Sequence, residues 1–128
     1  MWRSILFAFV VLAGAPLDRA LAEPGRFALL IGNAGYSKAV GALRNPHNDV
    51  ALLAATLGQI GFDVTVIRDA TYRSLDIEVR RHAMKLRDAG DNAIGFFYYS
   101  GHGVANPQTR ANYLIPVDVR TIADKDVW

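Results

Sequence analysis

His102 is the residue of this sequence best suited to acid–base chemistry. It lies between Gly101 and Gly103, directly after the most apolar stretch of the chain beyond its N-terminus, residues 93–99. Flanking glycines allow a sharp turn, so the imidazole can project beyond the end of a strand. An imidazole exchanges a proton near neutral pH, which suits a general base or general acid. His102 is therefore a candidate general acid or base, and a loop histidine without a chemical role is the alternative that these residues alone leave open.

The other polar residues do not predict a cofactor or a metal site. The chain has three histidines, scattered along it, and no cysteine, whereas protein zinc sites gather several such ligands. His47 and His82 are expected on helices, at or near the surface. The loop at residues 32–35 lacks the glycine spacing of a nucleotide-binding turn, and no helix follows it directly. Charges are dispersed, with a formal net charge of +2, so no nucleic-acid partner is expected.

Strands and helices alternate in the region that must position His102. Apolar runs predict strands at residues 26–31, 62–67 and 93–99, and the third is expected to be buried on both faces. Between the first two, Asn45 and Pro46 can cap and open a helix that Gly61 ends. Thr71 or Ser74 is expected to cap the second helix. The inward-facing residues predicted for the two helices are Val50, Leu53, Ala54, Leu57 and Ile60, then Leu75, Val79, Ala83 and Leu86.

The order β-α-β-α-β implies a parallel sheet with helices on both faces. Ligands of such sheets bind outside the carboxyl ends of the strands. If the first and third strands are neighbours, the turn at Gly32 and Asn33 and the turn at His102 flank one crevice. Residues 113–117 form a further short extended segment.

The first 22 residues are typical of a secretory signal peptide. Arg3 precedes an apolar stretch at residues 4–15, and residues 20–22 read Ala-Leu-Ala, a small-x-small cleavage pattern. A membrane anchor is the alternative, but about a dozen apolar residues fall short of the ~20 that span a bilayer. We expect the mature chain to begin at Glu23, in the periplasm or outside the cell, without a stable membrane anchor.

Four segments resemble bacterial members of the caspase and metacaspase family of cysteine peptidases, in order and spacing. They are FYYSGHG at residues 97–103, ALLIGN at residues 28–33, LRNPHNDV at residues 43–50 and GFDV at residues 61–64. The resemblance covers essentially all of residues 23–128. It implies a three-layer caspase-like sandwich, cysteine-type endopeptidase activity and a protein or peptide substrate.

The resemblance also assigns roles to individual residues. His102 matches the catalytic histidine, and the backbone N–H of Gly103 matches an oxyanion-hole donor. Asp49 matches the acidic residue with which metacaspases hold a basic P1 side chain, although a carboxylate in the first turn of a helix is also stabilised by the helix dipole. Arg44 lies where animal caspases read a P1 aspartate with an arginine, so the P1 preference stays open. Pro46 stands where many metacaspases have an auxiliary cysteine.

The nucleophile that the resemblance requires is missing from the 128 residues. In the caspase pattern the cysteine follows the histidine by about 50 residues, which lies beyond Trp128. Residues 23–128 are therefore either part of a catalytic domain or a degenerate relative that serves as a noncatalytic interaction module. The partial domain is favoured, because a third strand without a fourth would leave an apolar edge unpaired. A small-ligand binder of flavodoxin-like topology would need a phosphate-cradling first loop, which the sequence lacks.

Overall fold

The computed structural model describes residues 23–121, so the predicted signal peptide lies outside the described residues. Five strands and two helices follow one another in this part of the chain. They are β1 (Arg26–Gly32), α1 (Pro46–Gln59), β2 (Asp63–Arg68), α2 (Tyr72–Ala89), β3 (Ile94–Ser100), β4 (Gly103–Ala105) and β5 (Asn112–Leu114).

The main sheet has the strand order β2-β1-β3, and both pairings are parallel. The first and third strands are therefore neighbours, which is the condition under which the turns after them were expected to flank one crevice. Gly32 pairs with Arg68 on one side and with Ser100 on the other. The three strands thus end at one carboxyl edge, from which the chain continues into the loops that carry the candidate site.

The core lies on both faces of β1, because this central strand is covered by a helix on each side. Ala28 and Leu30 pack with Val50 and Leu57 of α1. Residues of the opposite parity face α2, where Leu29 and Ile31 of β1 pack with Ala70 and Leu75. This is the predicted α/β sandwich of helix, sheet and helix, and its parallel three-stranded sheet agrees with the expected caspase-like fold, truncated after the third strand.

The ends of the two helices were predicted with mixed success. Pro46 opens α1 and Gly61, with φ of 84°, follows its end, as expected. Asn45 occupies the N-cap position, but its side chain makes no capping hydrogen bond, since its backbone is helical rather than extended. The predicted Asn45 cap is therefore wrong. In α2, Thr71 caps by accepting a hydrogen bond from the Ser74 N–H at 3.2 Å.

The prediction that the third strand is buried on both faces is wrong. Within residues 23–121, β3 pairs with β1 alone, so its other edge is unpaired there. No residue of β3 is fully buried, and Ile94 and Phe97 are 44% and 45% exposed. Apolar composition cannot distinguish a central strand from an edge strand. Two helix positions that were expected to face inward, Ile60 and Ala83, are likewise exposed.

A small antiparallel sheet of β4 and β5 follows the main sheet. β5 was predicted as a longer segment at residues 113–117, whereas β4 was not predicted. A third core cluster, formed by Tyr36, Val40, Ile115 and Val119, fixes the loop after β1 to the segment after β5. Neither helix in residues 23–121 has the length and apolarity needed to cross a membrane.

Candidate active site

The imidazole of His102 is held beyond the carboxyl edge of the sheet by a backbone carbonyl. Its Nε2 lies 2.7 Å from the carbonyl oxygen of Gly41. Because a carbonyl oxygen only accepts hydrogen bonds, this contact places a proton on Nε2. In the neutral ring, Nδ1 then carries the free lone pair. Nδ1 is therefore the atom that can take up and release a proton.

Gly41 contacts the candidate histidine through its carbonyl, and sequence reasoning missed it. It belongs to the loop between β1 and α1, where its N–H donates to the Ser37 carbonyl at 2.8 Å and closes a turn. Its φ of 96° lies in the left-handed region, which glycine adopts without strain. Only the backbone carbonyl of Gly41 contacts His102, so no side-chain motif in the sequence indicates this contact. A glycine in the loop after the first strand is the only signal in the sequence.

The two glycines beside His102 do not act as predicted. Neither Gly101 nor Gly103 has a positive φ, so neither is needed for a left-handed turn. A Cβ on Gly101 would lie 2.5 Å from the Tyr99 hydroxyl and 2.6 Å from that of Tyr36. Gly101 is therefore required for close packing, whereas a Cβ on Gly103 would make only an ordinary contact, 3.4 Å from the Tyr113 carbonyl.

The backbone N–H of Gly103 is directed away from the strand beside it. Gly103 lies opposite Leu114, and the neighbouring Ile115 N–H donates to the His102 carbonyl at 3.0 Å. Antiparallel pairs alternate between hydrogen-bonded and non-hydrogen-bonded, so the pair of Gly103 and Leu114 is non-hydrogen-bonded. The Gly103 N–H therefore points out of the ladder at an exposed position, where it can donate to another group.

Asp49 and Ser100 meet at the carboxyl edge, beside the segment that carries His102. Asp49 lies in the first turn of α1, and its Oδ2 accepts a hydrogen bond of 2.9 Å from the Ser100 hydroxyl. Ser100 ends β3 two residues before His102. The fold thus brings a half-buried carboxylate to the edge that presents the histidine. Arg44 is exposed in the loop before α1, and no contact joins it to Asp49 or His102.

Asn33 holds this edge together from inside the fold. It is fully buried, and its Oδ1 accepts from the Ala70 N–H at 2.7 Å. Its Nδ2 donates to the carbonyls of Ala70 and Ile115 at 3.4 and 3.3 Å, and its own N–H donates to the Ser100 carbonyl at 2.8 Å. One side chain therefore links the segments after β1, β2 and β5. The sequence indicated Asn33 only as part of the turn after the first strand, at one side of the expected crevice.

Asp69 fixes the loop that supplies Gly41. Its Oδ1 accepts from the N–H groups of Ala34 and Gly35 at 2.9 and 2.8 Å, and its φ is 53°. Partial burial favours a higher pKa for Asp69, but these two hydrogen bonds and the nearby His47 outweigh it, so its pKa lies below the ordinary value. His47 Nε2 is 3.1 Å from Asp69 Oδ1, an ion-pair contact without hydrogen-bond geometry.

Together, the fold and the site define an α/β domain whose histidine lies past the carboxyl end of a sheet strand. Within residues 23–121, no three His, Asp or Glu side chains are grouped so as to hold a metal ion. The family model of the caspase domain matches residues 25–127. The chain therefore belongs to the caspase domain family, a family of peptidases. No curated protein matches it.

Proposed function

We propose that this chain carries the histidine side of a caspase-type cysteine endopeptidase site. The observation that supports the proposal most strongly is the contact between His102 Nε2 and the Gly41 carbonyl. It fixes one ring nitrogen as a donor and leaves Nδ1 for proton transfer. The geometry suits a base oriented by a third group, which is the general arrangement of an activated nucleophile. The thiol itself is not among the 128 residues.

The reaction uses His102 Nδ1 in both half-reactions. A cysteine thiolate attacks the scissile carbonyl carbon, and the oxygen takes up the displaced electron pair. The imidazolium then gives its Nδ1 proton to the leaving amine as the C–N bond breaks, which leaves a thioester. In the second half-reaction Nδ1 accepts a proton from water, the water oxygen attacks the thioester, and the thiolate departs.

The Gly103 N–H supplies hydrogen-bond stabilisation for the oxyanion of both half-reactions. It is directed out of the β4–β5 ladder and it directly follows His102 in the chain. A fixed backbone donor costs no reorganisation when negative charge develops on the substrate oxygen. The same donor therefore serves the attack by the thiolate and the attack by water.

Asp49 is the proposed reader of a basic P1 side chain, as in metacaspases. Its carboxylate is half-buried and fixed by the Ser100 hydroxyl, and a charge-assisted bond to a partly desolvated partner is stronger than a neutral one. The competing assignment gives Asp49 a purely structural role at the start of α1 and makes Arg44 the reader of a P1 aspartate. Substrates of either type are proteins or peptides.

We also propose that the protein is exported. The signal-peptide pattern at residues 1–22 supports a mature chain that starts at Glu23. N-terminal sequencing of protein expressed in a bacterial host should find Glu23 first. Retention of Met1 in the membrane fraction would indicate an anchor instead.

A noncatalytic interaction module is the second candidate, favoured by the absence of any cysteine in these 128 residues. The nucleotide sequence that follows the Trp128 codon distinguishes the two. An in-frame Asp-x-Cys element within about 30 residues supports the peptidase, and the longer product should then cleave reporter peptides ending in Arg, Lys or Asp. A stop codon followed by unrelated sequence supports the module.

The 128-residue chain itself should be inactive on the same reporters, because it lacks a thiol. Robust turnover by this chain, abolished by His102→Ala, would require another nucleophile and would contradict the cysteine-peptidase proposal.

A further inference from the structure

Two tyrosine hydroxyls hold the backbone of His102 on either side of its Cα. The Tyr36 hydroxyl accepts a hydrogen bond from the His102 N–H at 3.0 Å. The Tyr99 hydroxyl lies 2.9 Å from the His102 carbonyl oxygen, to which it can donate. The two tyrosines come from distant parts of the chain, since Tyr36 belongs to the loop after β1 and Tyr99 to β3.

The two hydroxyls also lie within hydrogen-bond distance of each other and of a shared acceptor. They are 2.9 Å apart, and the Ile115 carbonyl oxygen lies 3.0 Å from the Tyr36 hydroxyl and 2.8 Å from that of Tyr99. Each phenol has one proton. If Tyr36 donates to the Ile115 carbonyl and Tyr99 donates to the His102 carbonyl, each carbonyl has a donor and Tyr36 can still accept the His102 N–H. In that arrangement the two hydroxyls are in contact but make no hydrogen bond to each other. Burial, reinforced by Tyr36, raises the pKa of Tyr99 and so keeps it a donor.

Gly101 provides the space in which this arrangement fits. Both hydroxyls approach its Cα so closely that a Cβ would lie within 2.6 Å of each. Because Gly101 has no side chain, the two hydroxyls can reach the backbone of the next residue, His102.

Tyr36 connects the backbone of His102 to its ring. Its aromatic ring meets the imidazole edge-on, with centroids 4.7 Å apart and planes at 61°. Tyr36 lies in the same loop as Gly41, whose carbonyl binds Nε2. Any movement of Tyr36 therefore changes both the backbone support of His102 and the packing of its ring.

We propose that Tyr36 and Tyr99 are positioning residues that together keep the His102 imidazole on the Gly41 carbonyl. They act through the backbone amide and carbonyl of His102, and neither needs to touch substrate. The consequence for catalysis rests on the proposed peptidase function. The structural statement, that the two hydroxyls fix the tautomer and position of the ring, applies to the 128-residue chain as it exists.

The test uses nitrogen-15 NMR of the His102 ring in the full chain, at a pH where the imidazole is neutral. In the parent protein, Nε2 should show the shift of a protonated nitrogen and Nδ1 that of an unprotonated one. In Tyr36→Phe and in Tyr99→Phe the two shifts should move toward each other, since the ring samples both tautomers. Exchange of the His102 amide proton should accelerate about fivefold to tenfold in Tyr36→Phe, which removes its acceptor.

Tyr98→Phe is the matched control, because Tyr98 is adjacent in β3 but packs on the opposite face, in the α1-side core. It should leave the His102 ring shifts and amide exchange unchanged. Folded Tyr→Phe variants with parental ring shifts would overturn the proposal. So would a parent chain whose His102 amide exchanges without protection, a result that needs no variant to fold. Failure of the peptidase proposal would leave all of these readings unaffected, so the two proposals fail separately.

Discussion

The carboxyl edge of the main sheet and the outer edge of β3 are built in opposite ways. At the carboxyl edge, Asn33 is fully buried, and its polar side-chain atoms are all hydrogen-bonded. At the outer edge of β3, the apolar side chains of Ile94 and Phe97 are nearly half exposed. The structure of the region that positions His102 thus depends on buried polar groups. The apolar side chains at the outer edge of β3 contribute less to stability than their hydrophobicity suggests.

The buried polar groups of the carboxyl edge contribute more to the specificity of this fold than the apolar side chains at the outer edge of β3. A buried hydrogen-bonded group is costly to disturb, because its partners then lose their bonds away from water. An apolar side chain that remains half exposed has gained only part of its transfer free energy. A substitution of the polar Asn33 should therefore cost more stability than a substitution of the apolar Ile94, which is the opposite of what hydrophobicity alone predicts.

The largest stability effect is expected for Asn33→Ala. The change leaves the buried Ala70 N–H without its acceptor and removes one of the donors to each of the Ala70 and Ile115 carbonyls. We expect the free energy of unfolding to fall by roughly 2–4 kcal/mol. Urea unfolding followed by circular dichroism measures it. Asn112→Ala, at an exposed position of β5, is the matched control and should cost less than about 0.5 kcal/mol. Equal effects at the two positions would remove the contrast between the edges.

Asp49→Ala tests whether the carboxyl edge reads substrate. In a longer, cysteine-bearing form of the protein, kcat/KM for Arg substrates should fall at least about tenfold, equivalent to about 1.4 kcal/mol of transition-state binding. Asp63→Ala, which removes a surface ion pair with Lys85, should leave kcat/KM unchanged.

Two other outcomes would reassign the residues at this edge. A uniform small loss on all substrates with a slightly lower Tm would mean that Asp49 only stabilises α1. A preference for Asp substrates that Arg44→Ala abolishes, with Asp49→Ala nearly silent, would make Arg44 the reader.

Asp69 should make the stability of the loop after β1 depend on acid pH. Its pKa is lower in the folded state than the ordinary value, so its charge stabilises the fold above pH ~4. That contribution is lost as the pH falls through the lowered pKa. Asp69→Asn keeps an oxygen acceptor for the Ala34 and Gly35 N–H groups and suits a positive φ, so it removes mainly the charge.

The measurement is the free energy of unfolding of both proteins between about pH 2 and 7. The difference in the free energy of unfolding between the parent and Asp69→Asn should be constant near neutral pH and should become smaller below about pH 4. Asp76→Asn, which removes a surface pair with Arg80, should run parallel to the parent. A gap for Asp69→Asn that stays the same at every pH would show that the carboxylate charge does not stabilise the loop.

The smallest effect is expected at the outer edge of β3. Ile94→Thr keeps a β-branched side chain suited to a strand and replaces one that is 44% exposed. The free energy of unfolding should change by less than about 1 kcal/mol, as measured by urea unfolding. A loss as large as that of Asn33→Ala would mean that this edge is buried in solution.

The elements that sequence patterns predicted are those with local signals. The apolar stripe that includes Val50 and Leu57 predicted α1, and the alternation of strands and helices predicted a parallel sheet. The alternation did not decide whether β1 and β3 are neighbours. The position of His102 past the end of β3 followed from the same pattern. These predictions depend on patterns within single segments and on the order of the segments, both of which the sequence displays directly.

The parts that were missed depend on distant pairs or on backbone atoms. Gly41 acts through its carbonyl, which every residue possesses, so its identity has no chemical signature. The meeting of Tyr36 with Tyr99 joins two segments that only the fold brings together. β4 is three residues long and contains a glycine, too short for a periodic signal. The exposed edge of β3 depends on which strand lies beside it, not on its own sequence.

The most direct test of the central claim compares two histidine variants in the longer, cysteine-bearing form of the protein. His102→Ala should lower kcat for a peptide reporter by about 10²–10⁴-fold, the range of a general acid–base group, with the chain still folded. His82→Ala, on the partly buried side of α2, should retain kcat within about twofold, since it lies outside the site. Equal activity of the His102→Ala variant and the parent would contradict the claim that His102 is the catalytic histidine of a caspase-type peptidase.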